Sequence, residues 1–277
     1  LRFNGSFNGS LKIGKHWTTC PVCIFFDMLT SDKHGAGDFV NASNTSWVDL
    51  YPLAQYANQR VNTPDGLEPR FAINTVIAAQ NDAYKVLQNL ASTFRGMTYW
   101  AANTVNVGAD HGNLDGSDVD PVHLYNNSNV INGVFNYSGT SLKTRSTSIR
   151  VRYNDTDNLY KPNVVVVEDY DLITKYGYQV KDIVAFGCSS KYQAQRLGTW
   201  MLKSEELDAS VVVFSTGLDG LAVLPSQVFA VADEMRQGVQ RAGRIASGAT
   251  TTSITLDKDL SSVLSSNPTS FTLDVLM

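Results

Sequence analysis

From Pro21 to Thr30 the apolar residues Val22, Phe25, Phe26 and Leu29 recur at three- and four-residue spacing. That spacing puts them on one side of a helix, and Pro21 suits a first turn because the N–H it lacks has no intrahelical partner there. Ser46-Trp47-Val48-Asp49 offers a polar cap to a second helical face built from Leu50, Leu53, Ala54, Tyr56 and Ala57, which the turn cluster Asn62-Thr63-Pro64-Asp65-Gly66 ends. Arg70 to Ala78 reads as a strand through Phe71, Ile73, Val76 and Ile77. The strongest helix has Asn81 as cap, Ala83, Val86, Leu87, Leu90, Ala91 and Phe94 along one side, and Gly96 as terminator. Met97 to Val107, two apolar clusters around Ala102-Asn103, predicts a hairpin laid on that helix. At the N-terminus, Leu1 to Lys15 reads as a short strand and turn.

Asp110 to Asp120, rich in Gly and Asp, predicts a linker. Beyond it the period becomes two, with strands expected at 130–137, 146–153, 163–167, 180–186, 209–215, 221–232, 243–245 and 253–256. One helix interrupts them, Ser189 to Leu207, with Ala194, Leu197, Gly198, Met201 and Leu202 at helical spacing and Ser189 or Ser190 as cap. The fold class is therefore α+β. Residues 1–120 form a helix-plus-hairpin α/β domain, and residues 121–277 a β-barrel-like domain with one inserted helix near 189–207. The length of 277 residues agrees with two domains at about 150 residues each.

Composition narrows the function. Apolar residues at 43%, with 12 Phe and 12 Tyr, exclude wholesale disorder. A net charge of −4 and the absence of basic runs argue against tight recognition of phosphate backbones. The longest apolar runs, Val164 to Val167 and Val211 to Phe214, fall far short of a membrane-spanning helix. Because the sequence opens on Leu1 without a signal-type pattern, it reads as a piece of something longer. Three cysteines, an odd number, argue against a disulfide framework and for folding in a reducing compartment. Sequons at Asn4, Asn8, Asn41, Asn44, Asn126, Asn136 and Asn154 are read as chance in an Asn/Ser/Thr-rich chain.

Candidate chemistry is sparse. Cys20-Pro21-Val22-Cys23 has the spacing of a redox dithiol or half a zinc site. A zinc site needs two further ligands, and only His16 and His34 lie near in sequence; two small residues packing at a helix start is the preferred reading. Asp110, Asp115, Asp118 and Asp120 resemble hard-oxygen calcium ligands, but the twelfth-position Glu of an EF-hand is missing, so a solvated acidic linker is preferred. Phe186-Gly187-Cys188-Ser189-Ser190 is read as a strand-to-helix turn, with no base assigned to activate Cys188. Gly217-Leu218-Asp219-Gly220 lacks the Lys-Ser/Thr of a phosphate loop and is read as a turn. No spacing nominates a glycosidase carboxylate pair. No catalytic, cofactor-binding or metal residue is assigned, and no cofactor is expected.

The ordered stretches Asn129-Val130-Ile131-Asn132-Gly133-Val134-Phe135-Asn136-Tyr137-Ser138, Lys143-Thr144-Arg145, Val151-Arg152-Tyr153-Asn154-Asp155, Val167-Glu168-Asp169, Lys175-Tyr176-Gly177, Ala185-Phe186-Gly187-Cys188-Ser189-Ser190, Gln193-Ala194, Gly198-Thr199-Trp200, Gly217-Leu218-Asp219-Gly220 and Val231-Ala232-Asp233 carry a specific signal. Together they resemble the hub region of the tail tip (host-specificity) proteins J of lambda-like siphophages. Upstream, Phe25-Phe26-Asp27-Met28-Leu29-Thr30, Gly35-Ala36-Gly37-Asp38, Asp49-Leu50-Tyr51, Glu68-Pro69-Arg70-Phe71 and Ala83-Tyr84-Lys85-Val86-Leu87-Gln88 also fit, so the resemblance spans nearly the whole chain and weakens after Asp259. Cys20 and Cys23 depart from the family pattern, which counts further against a metal or redox role.

The resemblance implies a virion structural protein of the tail tip, present in the host cytoplasm during assembly. Three copies would form the hub that closes the tail tube, contact other tail tip and tube proteins, and leave a conduit for DNA passing unread. The host outer-membrane receptor would be met by regions outside this sequence, and the sequence leaves open whether the isolated chain is a monomer or a trimer. A weakly acidic chain suits a conduit, since a basic bore would hold the phosphate backbone. Two alternatives from other classes are a receptor- or carbohydrate-binding module, favoured by the aromatic content, and a tail-associated cell-wall hydrolase.

Overall fold

The computed structural model describes residues 17–40, 47–77, 83–101, 104–113, 117–139, 145–208, 210–233, 235–236, 247 and 250. The expected elements at 1–15, 243–245 and 253–256, with Ser46 and Asn81 as caps, lie outside those residues.

Three helices build the first core. Helix α1 (Pro21–Thr30) buries Val22, Phe25 and Leu29 completely, the spacing that its sequence predicts. It packs on α2 (Trp47–Asn58) and α3 (Ala83–Thr93). The Phe25 and Phe94 rings meet edge to face, 6.3 Å between centroids. Leu50, Leu53, Ala54 and Ala57 of α2 and Val86, Leu90 and Ala91 of α3 close the cluster.

The turn at 62–66 does end α2, but as the tip of a hairpin, β1 (Arg60–Thr63) with β2 (Gly66–Pro69). The second hairpin, β3 (Gly96–Ala101) with β4 (Thr104–Ala109), lies on α3 as expected. Its left-handed hinge is Arg95 (φ 60°), not Gly96. Gly96 is required for a different reason: a Cβ there would stand 2.5 Å from the Phe94 ring.

The expected strand at 70–78 is corrected. Residues 70–77 are extended, and Phe71 and Ile73 are buried, but no ladder forms. The backbone N–H groups of this segment find partners on four different elements. Arg70 and Phe71 donate to Gln59 and Ala57 at the end of α2, and Ile73 donates to Thr19 before α1. Ala72 donates to the Gln193 side chain, and Asn74 to the Gly187 carbonyl. Alternating apolar residues reported the extended backbone correctly, but they carry no information about what satisfies its hydrogen bonds.

A second core lies under a three-stranded sheet in the order β8-β7-β9. Strand β7 (Ser148–Asp155) sits in the middle, antiparallel to β8 (Lys161–Glu168) and parallel to β9 (Val180–Val184). Ile149, Val151 and Tyr153 point inward and Arg150 and Arg152 outward, the period-two pattern that made β7 legible. Between β8 and β9 runs α4 (Tyr170–Tyr176), which the sequence reading missed although Asp169 caps it through the N–H groups of Asp171 and Leu172. The long helix α5 (Lys191–Leu207) covers the inner face, capped by Ser190, whose hydroxyl accepts from the Gln193 N–H.

The expected barrel is also corrected: among the described residues no sheet closes. The remaining strands are short pairs, β6 (Asn136–Gly139) antiparallel to β10 (Ser210–Val213) and β5 (Leu124–Asn126) parallel to β11 (Ala230–Ala232). The expected strand at 130–137 contains a 3-10 turn at Ile131–Gly133, and the one at 221–232 shrinks to β11 behind a second 3-10 turn, Leu218–Ala222. That turn also occupies the stretch read as a strand-linking Gly217-to-Gly220 turn. Asn132 and Gly133 at positive φ break the first of these runs. Tyr125, Phe135, Phe214 and Phe229 stack where the pairs meet.

A Cβ on Gly198 of α5 would lie 2.8 Å from Val167 Cγ2 and 3.1 Å from Val151 Cγ2, because the helix rides directly on the sheet. Gly198→Ala should therefore destabilise the chain by about 1 kcal/mol in urea unfolding. The same change on an exposed helical face would stabilise by about that amount, so the sign alone tests the packing.

Candidate functional site

The most elaborated polar arrangement joins the two cores. Glu68, at the end of β2, pairs with Arg196 of α5 at 2.6 Å, with both side chains about four-fifths buried. Ser190 donates to the other Glu68 oxygen at 2.7 Å, and Arg196 Nη2 donates to the Arg70 carbonyl at 2.9 Å. The Gln193 amide clasps one residue of the extended segment from both sides, accepting from Ala72 N–H and donating to Ala72 C=O, each at 3.0 Å. Asn74 Nδ2 donates to Ser189 Oγ at 2.7 Å. Gly187 (φ 60°) approaches so closely that a Cβ would stand 2.4 Å from Ile73 Cγ1.

Beside this joint a cleft of about 500 Å³ opens between the β3–β4 hairpin and α5. Met97, Ile183, Leu197 and Trp200 make it apolar. At its rim the Arg95 guanidinium stacks on Trp200 at 4.8 Å and Phe71 at 5.5 Å. Trp200 Nε1 donates to Asp110 Oδ2 at 2.7 Å. Burial lowers the Arg95 pKa, partly offset by Tyr56 and Asp110.

The residues weighed in the sequence are dispersed. His34 bonds Asp27 at 2.8 Å and Ser31 at 3.2 Å, so both ring nitrogens are engaged away from the cysteines; His16 lies outside the described residues. No group of three His, Cys, Asp or Glu converges as metal ligands among the described residues. Asp110 serves Trp200, Asp118 accepts from Asn113 through its carbonyl, and Asp115 is not described. Burial pushes the Cys188 thiol up to about 11, and its sulfur donates to the Ser190 carbonyl at 3.3 Å. The cysteine pair packs at the helix start as expected, Cys20 buried in the first core and Cys23, half-buried, against it. Sequence reading gave no role to Glu68, Gln193 or Arg196. Their signal was present only as ordered matches around Glu68-Pro69-Arg70-Phe71 and Gln193-Ala194.

The arrangement of Glu68, Gln193 and Arg196 braces the stretch after β2 against α5. The family it serves is decided by relationship. A family model described as a putative phage tail protein matches residues 82–247, well over half of the chain. The chain belongs to this phage tail protein family.

Within that family, the chain is 32% identical over 237 residues to the "Tip attachment protein J" of Escherichia phage SECphi27, covering 84% of this chain and 19% of that protein. It is likewise 32% identical over 252 residues to the protein of the same name from Escherichia phage SECphi4, covering 88% and 21%. The chain thus spans about a fifth of the length of these relatives. Among solved structures, the 43 kDa tail protein of prophage MuSo2 from Shewanella oneidensis shares 16% identity at a TM-score of 0.43 over 83% of this chain and 61% of that one. The tail protein from Neisseria meningitidis MC58 shares 14% at 0.37, over 61% and 49%. These structural likenesses are too loose to define the fold. Kinship with the tip attachment proteins J marks the chain as a phage tail protein of the J type.

The clasp gives a test specific to this tail protein. Gln193→Ala leaves the Ala72 N–H and C=O unpaired and should cost about 2 kcal/mol in urea unfolding. Gln193→Glu keeps the acceptor but sets a carboxylate against the Ala72 carbonyl, raising the pKa of the new group in the folded state. Its deficit against wild type should shrink as pH falls through that raised value, because the protonated carboxyl can again donate.

Proposed function

We propose that this chain is part of the central hub of a phage tail tip, with three copies around the tube axis closing the tube and leaving a conduit for DNA. It divides near residue 120 into two hub domains, contacts other tail tip and tube proteins, and leaves receptor contact to regions outside this sequence. The observation that carries the reading is an apolar surface on a well-packed body. On the outer face of the β8-β7-β9 sheet, Val164 and Val166 of β8 and Val180 and Val184 of β9 are 42–74% exposed, flanking Arg150 and Arg152. The inner face of the same strands packs against α5, with Ile149, Val151, Tyr153 and Val165 buried. Leu218 and Leu221 on the second 3-10 turn are more than 80% exposed. Exposed valines on the two edge strands, set around a central Arg150–Asp182 ion pair, are surface that a subunit interface can cover. A net charge of −4 fits a bore that does not grip DNA.

Two measurements test this. Val164→Asp with Val166→Asp, both on exposed positions, should shift folding stability by no more than about 0.5 kcal/mol yet abolish plating of phage carrying the change; undiminished plating overturns the interface reading. Electron cryomicroscopy of the intact tail tip should show three copies of this segment around a bore of neutral or acidic side chains, and a Lys/Arg-lined bore overturns the conduit reading.

A further inference from the structure

The one motif with chemistry that the tail role does not use is Cys20-Pro21-Val22-Cys23. Cys20 occupies the N-cap of α1 with extended backbone (φ −69°, ψ 116°), and Cys23 follows one turn later inside the helix. Residues spaced this way have Cα atoms about 5 Å apart from helix geometry, inside the window of about 4.4–6.8 Å that a disulfide requires. No side chain closes a full-strength cap on this helix. The Cys20 side chain sits there instead, inside the first core, and Cys23 packs against that core one turn on. Cys20 is 2% exposed, while Cys23 is half-buried and open to solvent on one side. This asymmetry fixes which sulfur a solute can reach.

We propose that Cys20 and Cys23 form a thiol–disulfide exchange site in which Cys23 is the entry sulfur and Cys20 the resolving sulfur. The co-reactant is a small disulfide, RSSR. Cys23 gives up its proton, its thiolate attacks one sulfur of RSSR, and RS⁻ leaves, so Cys23 carries a mixed disulfide. The Cys20 thiolate then attacks the Cys23 sulfur, forms the Cys20–Cys23 bond and expels the second RS⁻. The two cysteines together lose two electrons, RSSR is reduced to two RSH, and the two cysteine protons end on the expelled thiolates. The hydrogen bond from Cys23, with the backbone and Asn58 donors, outweighs burial and holds the Cys20 thiol down to about 7, while the same shared proton and burial push Cys23 up. That distribution suits Cys20 to the resolving step and makes the Cys23 attack the slow one, since only the small thiolate fraction of Cys23 reacts. Cys188 provides an internal control, because burial raises its pKa and its sulfur is committed to the Ser190 carbonyl.

The test uses the 277-residue chain reduced and then exposed to oxidised glutathione, with products read by intact mass and peptide mapping. Wild type should lose two thiols and yield a Cys20–Cys23 disulfide. Cys20→Ser, which keeps a good N-cap residue, should stop at a single glutathione adduct on Cys23. Cys23→Ser should react about tenfold more slowly or worse, since the remaining pair of cysteines is buried. Ultraviolet thiolate absorbance of the Cys188→Ser variant should titrate with a midpoint of about 7 and lose that step in Cys20→Ser. The proposal is overturned if Cys23→Ser reacts as fast as wild type, if Cys20→Ser forms no adduct, or if wild type remains a mixed disulfide. Adding denaturant should erase the difference between the variants; a difference that persists also overturns it.

Discussion

Residues 70–75, following β2, belong to no sheet, and both cores depend on how the polar groups of this stretch are satisfied. A buried extended backbone cannot leave N–H and C=O groups unpaired without a penalty of about 1–3 kcal/mol each. Here the partners come from the end of α2, the residue before α1, the turn before α5 and the α5 side chains. Each of those elements is therefore held in place by the same short stretch. The Glu68–Arg196 pair spans 128 residues of sequence; Arg196 and Ser190 donate to the two carboxylate oxygens, and a second Arg196 N–H donates to the Arg70 carbonyl. A partly buried ion pair of this kind contributes to specifying one arrangement more than to net stability.

The joint also explains why the chain presents its apolar surface where it does. With α5 committed to the inner face of the β8-β7-β9 sheet and to the 70–75 segment, the outer sheet face has nothing in this chain's described residues to cover it. Val164, Val166, Val180 and Val184 remain in solvent. In a tail protein whose relatives are about five times longer, we propose that such a face serves contacts with other tail components. The short strand pairs β6–β10 and β5–β11 belong to the same picture, since two-stranded ribbons are marginal on their own and gain from neighbours.

Elements whose amphipathic pattern and packing agree were legible from the sequence. The helical stripes of α1, α3 and α5 and the alternation in β7 report burial that each element achieves along its own length. Helix α4 was overlooked although Asp169 and Gly177 mark its ends, because seven residues give too little periodicity to register. The barrel expectation failed for another reason. Strand pattern records that alternate residues face a core, and it is silent on whether strands join one closed sheet or several small ones. At the site, the matched runs around Glu68 and Gln193 were visible as resemblance, but their meeting was not.

By itself the sequence determined the helical faces, the hairpin on α3, the central strand β7 and the kinship with phage tail tip proteins. Those are properties of residue type and spacing along one dimension. Tertiary structure decided which groups satisfy the 70–75 backbone, which valines stay exposed, and that Cys23 faces solvent while Cys20 does not. Each of those depends on residues distant in the chain competing for the same space and the same hydrogen bonds, and spacing along the chain does not encode that competition.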